Sequence, residues 1–213
     1  MASGSGSQVP GSDSLDPFSA KQATRGYDQV APARTALLAV DLVNDYLEPA
    51  GAMPALDCVP VIEANRRLAE AARSAGVTIV WIRPGHLEVS DGLFRKRIVH
   101  ALEGTWGAEL HPELGVREGE RVLSKRRYSG FFQTDLDLWL REREVARVVV
   151  SGVALNICVR STVHDAFFLG YEVWVPRDAC RATGDREEAS TLYDIQSHFG
   201  EVLTVDDVIA GWR

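Results

Sequence analysis

Cys158 follows the run SGVALNI and opens a stretch with helical spacing. A thiol at a helix N-terminus meets partial positive charge, which favours the thiolate. The N–H groups there can also hold an oxyanion. This is equipment for attack on a carbonyl. The position equally suits a buried structural thiol, because free cysteines are among the most buried residues; Cys58 and Cys180 are read that way. Asp41 closes the apolar run ALLAVD. A carboxylate there is costly unless paired, so it is either a reactive group or a cap or structural ion pair. Lys125 stands beside Arg126 and Arg127, and the trio reads alone as a solvated basic patch. Together the three residues say more. A carboxylate beside a thiol can take its proton and return it to a leaving amine. A lysine beside both keeps the carboxylate ionised and favours the thiolate. The chemistry such a trio could perform is attack on a carbonyl through a covalent intermediate on Cys158, with the proton passed to a leaving amine.

Such a constellation needs elements that bring distant positions together. Short apolar runs at 36–41, 77–82, 120–124, 146–151, 171–176 and 201–204 read as strands, most of them buried on both faces. Between them lie amphipathic stretches at 58–75, stopped by Gly76, and at 134–144, 156–169, 185–198 and 206–212. A short helix is expected near 91–101, within a long Gly- and Pro-containing excursion. Alternation of this kind predicts helices on both faces of a parallel sheet. Ligands of such sheets sit at the carboxyl ends of the strands, where Asp41, Lys125 and the 152–158 loop all fall. The expectation is a three-layer α/β/α domain over 34–213 with a central, mostly parallel six-stranded sheet. Residues 1–33, rich at first in Ser, Gly and Asp, are expected to form a flexible tail and surface arm.

The net charge of −7 argues against nucleic acid or an anionic membrane as the main partner. No apolar run nears the roughly 20 residues of a membrane helix, and no secretory pattern opens the chain. Three widely spaced cysteines make neither a disulfide framework nor a metal knuckle. A cytoplasmic location is expected.

The segments AVDLVNDY, SKRRYSGFFQTDLD and SGVALNICVRSTVHDAFFLGYEV resemble, in order and spacing, the three signature blocks of the isochorismatase-like, or cysteine hydrolase, superfamily. The resemblance runs from about residue 34 to 210. It implies a triad of Asp41, Lys125 and Cys158, a cis peptide bond at Val153-Ala154, and an oxyanion hole at the N–H groups of Ala154 and Cys158. True isochorismatases of the family lack the cysteine, so its presence favours amide chemistry. Nicotinamidases of the family hold a metal on an Asp-x-His motif after the second strand. Here WIRPGHLEVSDG carries His86 without that aspartate, so no metal or other cofactor is expected and His86 is read as a loop residue. The branch most resembled contains ureidoacrylate amidohydrolases, N-carbamoylsarcosine amidases and biuret hydrolases. Leu155 departs from its pattern, which has Thr there.

Proximity to the triad in sequence nominates Asn44, Tyr46, Trp106, Tyr128 and Phe132 as pocket residues; each could equally be core or interface packing. Aromatic walls with a few polar handles suit a small planar amide or ureido group. Arg126, or its neighbour Arg127, would bind a substrate carboxylate or meet another subunit. Gln196 is a candidate for holding a carbamoyl group. The expected reaction passes through a thioester-type acyl-enzyme and releases ammonia or an amine. Two alternatives remain. One is a hydrolase of a lactam or amide in a larger natural product, its pocket shaped by residues 83–120. The other is a catalytically inert binding or docking protein. The resemblance also implies a homodimer or homotetramer.

Overall fold

In the computed structural model, which describes residues 30–55 and 57–213, seven parallel strands form one sheet. The expected tail over 1–33 therefore falls largely outside the described residues. Strand β1 (Thr35–Val40) leads through a short helix α1 (Asn44–Leu47) into α2 (Cys58–Ala75) and β2 (Thr78–Pro84). The excursion follows, then β3 (Arg121–Lys125), α3 (Leu136–Arg141) and β4 (Arg147–Val153). The chain continues through α4 (Arg160–Phe168), β5 (Glu172–Pro176), β6 (Cys180–Arg181), α5 (Asp185–Asp194), β7 (Glu201–Leu203) and α6 (Val205–Ala210). The lateral order is β3-β2-β1-β4-β5-β7, and β6 pairs with the end of β4 beyond the reach of β5. The count corrects the expected six strands. The seventh, β6, has two residues, too few to display any periodicity.

Strand β1 shows why the sheet has helices on both faces. Ala36, Leu38 and Val40 point into one apolar cluster with Leu136, Leu140, Val159 and Val163. Leu37 and Ala39 point into the other, with Val61, Ile62, Leu68 and Ala69 of α2. The side-chain alternation of a strand thus serves two cores. Helix α2 ends where expected: Gly76 takes φ 75° and its N–H returns to the carbonyls of Ala72 and Arg73. The expected helix near 91–101 reduces to a single 3₁₀ turn, Gly92–Arg95, capped by the Asp91 carboxylate through the Leu93 N–H. Ile98 and Val99 beyond it stay exposed, so this segment has no apolar face to pack and no helix to extend.

The strand order reverses between β1 and β4. The crevice at the carboxyl ends of those two strands is the topological switch point, where doubly wound sheets bind ligands. Asp41 follows β1 directly, and the cysteine-bearing turn follows β4.

Candidate active site

At the end of β1 the chain turns sharply. Asp41 adopts φ 57°, a left-handed conformation that Asp tolerates better than most residues. Its N–H donates to the Ile82 carbonyl at 2.7 Å, which fixes the turn against β2. The carboxylate is fully buried. Lys125 lies two strands away, at the end of β3 opposite Pro84. Adjacent strands lie about 5 Å apart, so its side chain must reach back across β2. Its Nζ donates to Asp41 Oδ2 at 2.8 Å and to the Arg127 carbonyl at 3.1 Å. The basic-patch reading of Lys125 is thereby excluded: both side chains of the pair are only 2% and 1% exposed. Burial opposes the Lys125 charge, but Asp41 and Cys158 outweigh it and hold the ammonium above its ordinary range.

The third residue arrives on an unusual turn. Gly152 in β4 has φ 117°, and a Cβ there would stand 2.0 Å from the Val40 carbonyl oxygen. Only glycine lets β4 pass this close to β1 beside Asp41. The Val153-Ala154 peptide bond is cis. A π-helical turn, Leu155–Val159, then carries Cys158 ahead of α4. The Ala154 carbonyl accepts from the N–H groups of Ile157 (3.0 Å) and Val159 (3.3 Å). Thr162 ties this turn to the loop after Lys125: its hydroxyl donates to the Cys158 carbonyl at 2.8 Å and accepts from the Gly130 N–H at 3.0 Å. Leu155 is fully buried in an apolar cluster, so hydrocarbon fills the position at which the sequence departs from the pattern it resembles.

The expectation for the Cys158 thiol is reversed in sign. Burial, then the Asp41 charge, push its pKa well above the ordinary cysteine range, and Lys125 offsets this only in part. The free site therefore holds a protonated thiol beside an ion pair. The helix-terminus effect is outweighed because the turn is buried, not presented to solvent. Cys58 and Cys180 are buried, with Sγ atoms donating to carbonyls of Ala55 (3.1 Å) and Val150 (4.0 Å).

Above Cys158 opens a cavity of about 310 Å³, with Tyr46, Tyr128, His100, Arg97, Ala154 and Thr183 in its walls. A narrower recess of about 20 Å³ continues from it to Asp41 and Lys125, past His86 and His100. Asp45 ties two walls together, its carboxylate accepting from the N–H groups of Ala52 (2.9 Å) and Ala101 (2.6 Å). Asn156 clasps a third, exchanging hydrogen bonds with the Thr183 hydroxyl (2.9 Å) and N–H (3.0 Å).

Of the nominated pocket residues, the fold brings Tyr46 and Tyr128 to the cavity and Arg127 to the recess, and leaves the others outside these walls. Asn44 is buried and donates to the Trp106 carbonyl at 2.9 Å, so it braces the excursion. The side chains of Trp106 and Phe132 are half exposed. Gln196 accepts from the Val202 N–H at 2.8 Å, which joins the π-helical turn Ile195–Phe199 to β7. Arg126 and Arg127 face Asp91, at 3.6 and 3.3 Å. His86 does lie in a loop, but it is buried against Asp91 and Phe94 and not free in solvent. Sequence reasoning missed His100, Arg97, Asp45, Asn156 and Thr162. Asn156 and Thr162 lie inside the quoted block around Cys158 and Asp45 inside AVDLVNDY, so their placement was open to it; His100 and Arg97 were not marked by any motif. Among the described residues, no group of three or more His, Cys, Asp or Glu side chains is gathered as metal ligands would be.

A parallel α/β domain with a thiol, a carboxylate and an ammonium at its switch point belongs to a recognisable class, and the comparisons give its family. The isochorismatase domain matches residues 35–207. Ureidoacrylate amidohydrolase RutB of Cronobacter sakazakii is 36% identical, covering 82% of this chain and 87% of that protein. Among solved structures, an isochorismatase-like hydrolase from Alkaliphilus metalliredigens superposes with a TM-score of 0.80 at 35% identity, covering 84% of this chain and 100% of that one. N-carbamoylsarcosine amidase from Thermoplasma acidophilum gives 0.75 at 30% identity, covering 81% and 97%. The chain belongs to the isochorismatase family.

Proposed function

We propose that this protein is a cysteine-dependent amidohydrolase that cleaves a C–N bond of a small amide, ureido or carbamoyl compound. The observation that carries the reading is the buried Lys125–Asp41 pair, 2.8 Å long, on the floor of the recess that also exposes Cys158. The raised thiol decides the order of events. Cys158 gives its proton to Asp41 as its sulfur attacks the carbonyl carbon, so the thiolate is formed during attack. The oxyanion rests on the N–H groups of Ala154 and Cys158. The tetrahedral intermediate collapses as Asp41 returns the proton to the leaving nitrogen, and ammonia or an amine departs from a thioester. Water, deprotonated by Asp41, then attacks the thioester; the acid is released and the Cys158 thiol restored. Lys125 holds Asp41 Oδ2 in place, at 2.8 Å, at the start of each half-reaction.

The names of the relatives, a ureidoacrylate amidohydrolase and an N-carbamoylsarcosine amidase, support a ureido or carbamoyl group. A cavity of about 310 Å³ lies at the small end of ligand sites and disfavours a large natural-product amide. An inert binder has no use for a buried ion pair beside a thiol. The test is ammonia release over N-carbamoyl amino acids, ureidoacrylate, biuret, nicotinamide and simple lactams, with wild type and Cys158→Ala. Turnover of one small ureido or carbamoyl compound, lost in the folded variant, is expected; activity surviving in Cys158→Ala overturns the assignment.

Residues 34–213 are proposed to act as one domain, because both apolar clusters share β1. Self-association as a dimer or tetramer is proposed as well. The exposed Phe167, Phe168 and Leu169 at the end of α4 form an apolar patch of the kind that seeks a partner; a single 23.4 kDa species in mass photometry would refute it. Three buried cysteines outside any disulfide suit a cytoplasmic setting. Among the described residues, no helix is long and apolar enough to cross a membrane.

A further inference from the structure

Three histidines of the excursion differ in how their ring nitrogens are used. His111 is satisfied at both: Nε2 lies 3.0 Å from Glu48 Oε1, and Nδ1 accepts from the Glu113 N–H at 3.3 Å. That ring braces the loop. His86 and His100 are engaged at Nδ1 alone. His100 Nδ1 lies 2.7 Å from the Ile98 carbonyl oxygen, which can only accept, so this nitrogen carries the proton. His86 Nδ1 lies 3.3 Å from Asp91 Oδ2. The Leu93 N–H, with His86 and Arg127, holds the Asp91 carboxyl below its ordinary range, so it is an acceptor too and His86 Nδ1 is the protonated nitrogen. With Nδ1 carrying the proton, the neutral form of either ring leaves Nε2 as a bare lone pair, and neither Nε2 has a hydrogen-bond partner among the described residues. Both rings are buried, pack edge to face 5.3 Å apart, and line the recess that ends at Asp41, Lys125 and Cys158. Burial holds His86 in its neutral form, against the pull of Asp91.

The other polar groups at this end of the recess do not duplicate that function. Lys125 is a donor, the backbone groups assigned to the oxyanion are donors, and of the Asp41 carboxylate Oδ2 is held by Lys125 while Oδ1, without a partner among the described residues, is committed to the Cys158 proton in the proposed reaction. A ureido or carbamoyl head presents one carbonyl oxygen and several N–H groups. The oxygen finds donors; the N–H groups need acceptors, and a buried donor left without one costs a factor of about 10–100 in affinity. We propose that His86 and His100 are the specificity-determining acceptors of this site. Their Nε2 atoms receive N–H groups of the scissile carbamoyl or amide nitrogen and so select nitrogen over oxygen leaving groups. The proposal rests on the amidohydrolase reading above.

Histidine-labelled protein tests the acceptors without turnover. The ¹⁵N resonances of His86 and His100 should show Nε2 unprotonated at neutral pH, and protonated Nε2 at either ring overturns the proposal. Kinetics then test their use. For the carbamoyl or amide compound that is turned over and its methyl ester counterpart, the amide-to-ester ratio of kcat/KM should fall about 10–100-fold in His86→Phe and His100→Phe. Phe keeps the ring packing. Asn, which restores an acceptor, should recover part of the ratio. A fall of amide and ester cleavage in equal proportion would make the rings structural and sink the idea. If wild type cleaves neither compound, the amidohydrolase reading fails by itself, and unprotonated Nε2 atoms with no N–H selection to explain overturn the proposal too.

Discussion

Replacing Lys125 by Met tests whether the ion pair is a cooperative unit. Met keeps the aliphatic stem and removes the ammonium, which leaves Asp41 fully buried with Oδ2 stripped of its donor and Oδ1 already without a hydrogen-bond partner among the described residues. At 2.8 Å and an effective dielectric constant of about 20, the attraction lost is on the order of 5 kcal/mol. Removing one partner of a buried pair costs about 3–5 kcal/mol in practice. For a chain of this size that is a fall of roughly 6–20 °C in Tm. Asp41→Asn should destabilise as well, because Lys125 then keeps a buried charge without its counterion. The double variant removes both charges, so its loss should be smaller than the sum of the two by about 3 kcal/mol or more.

The assay is urea or thermal unfolding of the four proteins at pH 7, analysed as a double-mutant cycle. An uncompensated buried carboxylate takes a proton instead of keeping its charge, so the penalty of Lys125→Met should shrink as the pH is lowered. Additivity to within about 0.5 kcal/mol would refute the coupling. The double variant should be folded yet release no ammonia; turnover in it would remove Asp41 and Lys125 from the chemistry.

Three further outcomes are expected. Gly152→Ala should prevent stable folding or cost more than about 4 kcal/mol, because its methyl group would overlap the Val40 carbonyl; circular dichroism with a wild-type Tm would contradict this. Thr162→Val, which cuts both bonds between the Cys158 turn and Gly130, should cost about 1–3 kcal/mol and lower kcat more than it raises KM; unchanged kcat would show that the tie does not position the thiol. Stability should be flat between about pH 6.5 and roughly pH 8 and fall as the pH drops below that window. The native imidazoles of His86 and His164 are held below the ordinary histidine range, by burial first, so the unfolded chain takes up protons before the native one does. His86→Asn should reduce that slope, measured as the urea midpoint between pH 7 and 5.

The sheet was legible because buried strands are written as apolar runs: TALLAV and RVVVSGV are buried at every position. Their carboxyl ends could be found by counting, and with them Asp41, Lys125 and Cys158. Beyond the strand ends, nearness in sequence stopped predicting nearness in space. Tyr46 and Tyr128 reach the cavity, whereas Asn44, two residues from Tyr46, turns inward to hold the Trp106 carbonyl. Phe132, four residues from Tyr128, faces solvent. Leu93, Arg97 and His100 come from a segment whose only helix is one 3₁₀ turn. Its path is set by Asp45 and Asp91, side chains that bind backbone N–H groups, and such bonds have no periodicity to read.

The charge state of Cys158 separates position from environment most sharply, and it can be measured. A helix-terminal thiol read from sequence should be a thiolate that alkylates fast. The buried thiol of the structure, raised first by burial and next by Asp41, should alkylate slowly in the free protein, although it is the proposed nucleophile. Asp41 thus opposes the thiolate at rest and assists its formation only by taking the proton. Neutralising Asp41 should separate these effects. In Asp41→Asn the Lys125 charge acts on the sulfur without its opponent, so the thiol pKa should fall and the thiolate fraction at neutral pH should rise. Iodoacetamide labelling of Cys158, located by peptide mass spectrometry, should then quicken while ammonia release is lost. Labelling of Asp41→Asn no faster than wild type, in a variant shown to be folded, would mean that Asp41 does not control the thiol, and proton transfer between them would have to be abandoned.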